Sequence, residues 1–300
     1  MTIVLTGGSG FIGTQLAKKL LALGDTVVVV DIKAPSFTHE QLFFIQCDIT
    51  RSELPFNVLE HTDAVINLAG APISAKWTDS YKQVISDSRI ISTRHIVESM
   101  RTATSRPTIL INASAIGYYG EREREELTER SAKGVGFLAD VVAGWEAEAQ
   151  KAEEFGTRVV CMRTAPVVGH GGMLTQMRMT AKFGFLMKLT TNKFFQSWVH
   201  EEDIVHAYLF ALQTSTLQGP VNVASPEVVT HDVFMKTLGV VLKRPVLGSA
   251  PSFILTLKYG LLMAELTKSQ CVSPKLLIDK GFVFQHPTLE GALLDAVTTY

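Results

Sequence analysis

The residues best placed to do chemistry open the chain: Thr6-Gly7-Gly8-Ser9-Gly10-Phe11-Ile12-Gly13 follows the apolar run Ile3-Val4-Leu5 directly. Glycines at 7, 10 and 13 let a chain turn tightly and let its backbone N–H groups approach an anion, while a helix beginning there turns its positive dipole end toward the same point. That combination suits the pyrophosphate of a dinucleotide. Val27-Val28-Val29-Val30 reads as a second buried parallel strand, ending in Asp31. Asp31 falls near the ~20-residue offset at which a carboxylate receives the adenosine ribose, with Lys33 close by. A free ribose 2′-hydroxyl suits Asp31 better than a 2′-phosphate, so NAD(H) is favoured and NADP(H) stays open.

Other reactive side chains point less clearly. No two of the eight histidines stand in His-x-x-x-His spacing, and the three cysteines, Cys47, Cys161 and Cys271, are far apart without a Cys-x-x-Cys pair. The expectation is no metal site and no disulfide frame, with the thiols reduced. A net charge of −1 with interspersed signs gives no basic stripe for nucleic acid and no polybasic membrane anchor, so the expected partner is a small-molecule substrate. A homodimer is left open. The first strand begins within the opening residues, which is the expectation for a cytoplasmic protein without a leader. Phe253 to Met263, the most apolar late segment, is too short to span a bilayer, contains Lys258, and reads as a core helix.

These residues must be held by alternating elements. Strands are expected over Ile3–Thr6, Val27–Asp31, Phe43–Gln46, Ala64–Leu68, Thr108–Asn112 and Arg158–Met162, with helices over Ile12–Leu23, about Tyr81–Met100, and Leu138–Phe155. Ile12, Leu16 and Leu20, joined by Ala17 and Leu21, form one helical stripe, and Gly24 suits its C-terminus. Asp203 reads as the N-cap of a helix through Leu212, Val221–Val223 as a last strand, and Thr230 as the cap of a helix over Val233–Leu242. The fold class is therefore α/β, a Rossmann-type doubly wound parallel sheet with a smaller, mainly helical C-terminal substrate domain. Residues 1–165 and about 196–225 make the dinucleotide-binding part; about 166–195 and 226–300 make the substrate lid. The charged run Glu121 to Glu126 reads as a solvated segment at the crevice border.

With these motifs in view the chain resembles an extended short-chain dehydrogenase/reductase, the group that includes nucleotide-sugar epimerases and dehydratases. Thr6, Gly7, Gly10 and Gly13, the pair Asp48-Ile49, and Asn67-Leu68-Ala69-Gly70 match its pattern. A closer resemblance is to the atypical branch labelled epimerase family proteins. Ser88-Arg89-Ile90 with Thr93, Ala113-Ser114-Ala115-Ile116-Gly117-Tyr118-Tyr119-Gly120, Gly144-Trp145-Glu146, Gln196-Ser197-Trp198-Val199-His200 with Asp203, and a tail including Gly281-Phe282-Val283-Phe284 carry it. The resemblance implies cofactor contacts at Gly7, Gly10, Phe11, Ile12, Gly13, Asp31, Lys33, Asp48, Ile49, Leu68, Ala69, Gly70, Arg89, Ala113, Ala165 and Pro166. It implies substrate contacts at Gln196, Trp198 and His200. Active members use a Tyr-x-x-x-Lys pair and a serine, and Ser114 fits the serine. No lysine follows any tyrosine at that spacing; Leu138 and Val142 stand in the pair's place. Tyr118 and Tyr119, with Arg89 as the nearby cation, are the candidate replacements for proton exchange. Two readings follow: an NAD(P)-binding oxidoreductase or epimerase-like enzyme acting on a small hydroxyl- or carbonyl-bearing compound, a nucleotide sugar among them, or a non-catalytic dinucleotide-binding redox sensor or interaction module.

Overall fold

A computed structural model describes residues 1–171, 174, 181, 184–190, 193–249 and 260–298. Seven parallel strands form the central sheet: β1 (Thr2–Thr6), β2 (Thr26–Asp31), β3 (Leu42–Gln46), β4 (Ala64–Asn67), β5 (Ile109–Ala115), β6 (Arg158–Thr164) and β7 (Gly219–Val223). Their order is β7-β6-β5-β4-β1-β2-β3. The chain reverses its direction of winding between β1 and β4, and open sheets of this kind place their ligand crevice at the carboxyl ends of the two strands flanking such a switch.

Side-chain alternation along the strands explains the two covered faces. Ile3 and Leu5 of β1, Ile66 of β4 and Ile111 of β5 face a first core with Leu16 and Leu20 of α1 (Phe11–Ala22), whereas Val4, Val65 and Leu110 face a second. α2 (Asp79–Thr102) adds Ile96, Val97 and Met100 to that second core, and α3 (Phe137–Gln150) adds Ala149. The segment expected as one helix from Leu138 to Phe155 changes to a 3₁₀ turn at Lys151. β5 runs three residues past the expected Asn112, so Ser114 lies inside the strand.

α4 (Glu201–Gln213) corrects the expected cap. His200, not Asp203, is the N-cap, and its Nδ1 accepts from the Glu202 amide at 3.4 Å. Asp203 sits one turn in and fully buried, its oxygens accepting from the amides of Gln285 (2.6 Å) and His286 (3.1 Å). An acidic residue in a first turn suits either job; a distant loop claimed this one. Thr230 caps α5 (His231–Leu242) as expected, accepting from the Val233 amide. α6 (Leu289–Thr298) packs with α5 in a third core that includes Trp198, Phe234, Leu238 and Leu293.

The charged run is more than a solvated segment. Glu121 accepts from the Ser269 amide, Arg122 is bidentate to Glu125, and Glu126–Leu127 pairs with Cys271–Val272. The C-terminal part of the chain is thus fastened here. Of the apolar segment expected as a core helix, residues 253–259 lie outside the described residues. Among the described residues no helix is long and apolar enough to cross a membrane.

Asp203→Ala leaves the amides of Gln285 and His286 without their charged acceptor. It should lower the unfolding free energy by about 2–3 kcal/mol, seen as a reduced urea midpoint at unchanged slope.

Candidate functional site

The glycine turn is built for close approach. Gly7 takes a φ of +70°, in the left-handed region, and a Cβ there would stand 2.7 Å from the Ala69 nitrogen. A Cβ on Gly13 would lie 2.6 Å from the Gly7 carbonyl oxygen. Gly7 therefore seats the turn on the loop after β4, and Gly13 seats α1 on the turn. Gly10, the N-cap of α1, contributes no side-chain cap, and the first turn carries no acidic residue. Its leading N–H groups and positive dipole end are left to an external anion. Phe11 is 39% exposed beside them, and Ile12 is half-buried.

Asp31 stands at the rim. One carboxylate oxygen accepts from the Ser9 amide at 3.0 Å, the other from the Ile32 amide at 2.7 Å, while Ser9 Oγ donates to the Lys33 carbonyl at 2.6 Å. The anion is fixed by peptide dipoles, and no described cation forms an ion pair with it. Lys33 is exposed nearby. These residues fit a dinucleotide: a glycine cradle a Cβ would fill, uncapped helix donors, and a fixed acceptor beyond them.

Across the switch point a buried polar row joins the strand ends. Thr6 donates to Asn67 (2.7 Å), and Asn67 donates to Asn112 (2.7 Å) and Thr93 (2.9 Å), all fully buried. Asn67 also accepts from the Ala69 amide, shaping the turn Leu68–Gly70. Asp48 turns its carboxylate back to Thr50, and the Ile49 side chain belongs to the second core at 6% exposure, leaving little of it for an adenine. Arg89 lies against Gly70 and donates to the carbonyls of Ile85 and Ala71, both at 3.1 Å. Burial pulls its pKa down to about 10.

The cation beside the tyrosines is Arg163, not Arg89. It forms a bidentate pair with Glu146 at 2.8 and 2.7 Å, with both side chains almost wholly buried. Burial opposes its charge, but the Glu146 carboxylate outweighs that and raises its pKa. Its guanidinium carbon lies 3.6 Å from the Tyr118 ring centroid. Tyr119 is corrected from catalytic to structural: it is fully buried, accepts from Arg163 at 3.0 Å and donates to Asn222 Oδ1 at 2.6 Å. Burial raises its pKa despite Arg163, so its proton stays. Ser114 donates to Glu146 at 2.5 Å, and Tyr118 remains half-buried. Leu138 and Val142 bracket Gly117, in the turn between Ser114 and Tyr118. Ala113 is half-buried in the same strand, Ala165 is held by the Val223 carbonyl, and Pro166 is exposed.

The expected substrate residues separate. Trp198 and His200 are both fully buried, Trp198 in the third core and His200 against the His286 ring, so neither reaches a crevice. Burial, then the neighbouring His286, lowers the His200 pKa. Only Gln196 stays half-exposed, taking a hydrogen bond from His231 Nδ1 at 3.2 Å. His231 stacks on Phe194, and its Nε2 accepts from the Leu189 amide. Sequence reading missed His231, Glu146 as the partner of Arg163, and the polar row. The row had a usable signal, because apolar strands end in Thr6, Asn67 and Asn112.

The cradle, the switch-point crevice and the rim carboxylate define a dinucleotide-binding α/β protein. The chain belongs to the NAD dependent epimerase/dehydratase family, whose model matches residues 3–224; a domain of unknown function, DUF1731, matches residues 250–296. The epimerase family protein SH2119 of Staphylococcus haemolyticus is 34% identical over 298 residues, covering 98% of each chain. YfhF of Bacillus subtilis, also an epimerase family protein, is 34% identical over 294 residues, covering 98% of this chain and 97% of its own. A crystal structure of the human epimerase family protein SDR39U1 with NADPH superimposes with a TM-score of 0.87 at 25% identity, covering 100% of both chains.

Burial lowers the His231 pKa from 6.5 to about 4. Between those values the unfolded chain binds the proton that the folded chain refuses, so stability falls as pH drops through that window. The loss attributable to His231 reaches about 3 kcal/mol. Denaturant titrations of the protein and of His231→Gln across that range should diverge accordingly, with the variant showing the shallower decline.

Proposed function

We propose that the protein is an NAD(H)-preferring enzyme of the oxidoreductase or epimerase type, acting on a small compound with a hydroxyl or carbonyl group. The observation that carries this reading is the Arg163–Glu146 pair beside the carboxyl end of β5, which takes Ser114 on Glu146 and the Tyr118 ring on Arg163. A bound nicotinamide dinucleotide supplies hydride exchange. The chain's own residues supply the rest. The turn Gly7–Gly13 and the first N–H groups of α1 hold the pyrophosphate, and Asp31 accepts a ribose hydroxyl. Ser114, already donating to Glu146, offers its oxygen as an acceptor and so positions a substrate hydroxyl. Tyr118, held by its ring on Arg163, gives or takes the proton at that oxygen, and Gln196 presents an amide at the border of the third core.

One observation favours a second reading, dinucleotide binding without turnover as a redox sensor or interaction module. Leu138 and Val142, apolar and packed on Gly117, stand where the resembled enzymes carry their tyrosine and lysine. Turnover separates the two. Incubation with NAD(H) and a panel of alcohols, carbonyl compounds and nucleotide sugars, with products read by mass spectrometry and NMR, should reveal conversion. Tyr118→Phe should lower kcat by about 10²–10⁴ with the cofactor Kd unchanged. Conversion that survives the substitution removes Tyr118 from the mechanism; tight cofactor binding with no conversion across the panel favours the sensor.

Cofactor choice rests on Asp31. The fixed carboxylate repels a 2′-phosphate, so NADH should bind at least about tenfold more tightly than NADPH in a fluorescence titration, a difference of about 1.4 kcal/mol. Asp31→Ser should narrow the ratio. NADPH binding the more tightly of the two would overturn the argument.

A further inference from the structure

Outside the crevice, three metal-ligating side chains converge where α4 meets the C-terminal segment. A ring nitrogen of His200, a carboxylate oxygen of Glu202 and a ring nitrogen of His286 all lie within 4.8 Å of one another. His286 Nε2 is 3.0 Å from Glu202 Oε2, and the two imidazole rings are 3.7 Å apart, centroid to centroid. The backbone of His286 is fixed by buried Asp203, so its ring is delivered to this place by the fold. His200 has no exposed surface, and its Nε2 makes no hydrogen bond. The nearest carboxylate oxygen, Asp295 Oδ2, is 3.3 Å away without hydrogen-bond geometry.

We propose that His200, Glu202 and His286 bind a divalent transition-metal ion of the zinc class, with Asp295 as supporting carboxylate. Tautomer and contacts agree with this assignment. The Glu202 amide points at His200 Nδ1, which therefore carries the lone pair, but at 3.4 Å it holds that lone pair weakly. An ion on Nδ1 takes the place of that amide, while Nε2–H faces Asp295 at 3.3 Å. A ligating histidine commonly directs its second nitrogen at a carboxylate in this way. Two imidazoles and a carboxylate are the donor set of a four-coordinate zinc ion with one water. Glu202 and Asp295 are 56% and 39% exposed, which gives the ion a path from solvent. The site would bind the N-terminus of α4 to α6, through residues separated by more than eighty positions.

The test uses untagged full-length protein freed of metal by a chelator, then titrated with ZnCl₂ and, separately, with CoCl₂. Expected are one equivalent bound, a visible Co²⁺ absorption of tetrahedral type, a Tm that rises with Zn²⁺ concentration, and X-ray absorption placing two imidazole nitrogens at about 2.0–2.1 Å. Glu202→Gln and His286→Asn, both at solvent-reaching positions, should each weaken binding at least 100-fold, and Asp295→Asn about 10–100-fold. Circular dichroism of the metal-free variants establishes that they fold. Absence of stoichiometric binding overturns the proposal. So does binding that persists unchanged in folded Glu202→Gln and His286→Asn, which would put the ion on other surface side chains.

Discussion

The ion pair between Arg163 and Glu146 is the interaction on which the carboxyl ends of β5, β6 and β7 depend. Two charges this deeply buried are costly to desolvate, and such a pair adds little net stability even when its geometry is good. Removing one partner is another matter, because the survivor remains buried and charged, at a cost of about 3–5 kcal/mol. What the pair contributes is position. Glu146 comes from α3 and receives Ser114 of β5; Arg163 comes from β6 and holds Tyr119. Through Tyr119 the network reaches Asn222 of β7, which donates to the carbonyls of Leu127 and Ser273. Three strands, a helix and the C-terminal segment are therefore set relative to one pair of charges.

On the side of the glycine turn the strands are joined by neutral side chains. Thr6, Asn67 and Asn112 face one another in register on β1, β4 and β5. Thr6 and Asn67 close their strands, Asn112 lies opposite them inside β5, and each is satisfied by the next. Asn67 then shapes the loop on which Gly7 rests, so the turn that would hold a pyrophosphate is locked to the sheet by hydrogen bonds behind it. A buried network is stabilising only when every member is paired, and this one closes on Thr93 of α2. The precise approach of Gly7 and Gly13 rests on that closure.

Local periodicity made most of the sheet legible. The valine run of β2, the stripe of α1 and the glycine turn depend on neighbours in sequence, and their expected bounds fall within a residue of those observed. Strand ends are harder to read, since β5 continues past Asn112 through the small residues Ala113, Ser114 and Ala115. The failures share a cause. Asp203 has the type and position of a helix cap, but its acceptors serve amides 82 and 83 residues away. Trp198 and His200 were assigned to a pocket by analogy, and burial in the third core and against His286 took them out of it. Arg89 and Arg163 could not be told apart by spacing, because which cation meets Tyr118 is settled by the pairing of β5 with β6.

That last point bears on how the fold can lose a tyrosine–lysine pair and keep a polar floor. In the resembled enzymes the cation and the phenol sit on one helix, one turn apart. Here the corresponding helix faces are Leu138 and Val142, and α3 contributes an anion, Glu146, one turn further on. Arg163 lies on the neighbouring strand, and Tyr118 in the turn after β5. Arg163 meets both tyrosines, but differently: it donates to the hydroxyl of Tyr119 and lies under the ring of Tyr118. The Tyr119 hydroxyl is bound between Arg163 and Asn222, whereas Tyr118 meets Arg163 with the face of its ring. Two adjacent tyrosines on one cation thus differ in enclosure: Tyr119 is fully buried, and Tyr118 is half-buried edge-on to it at 5.5 Å between ring centroids.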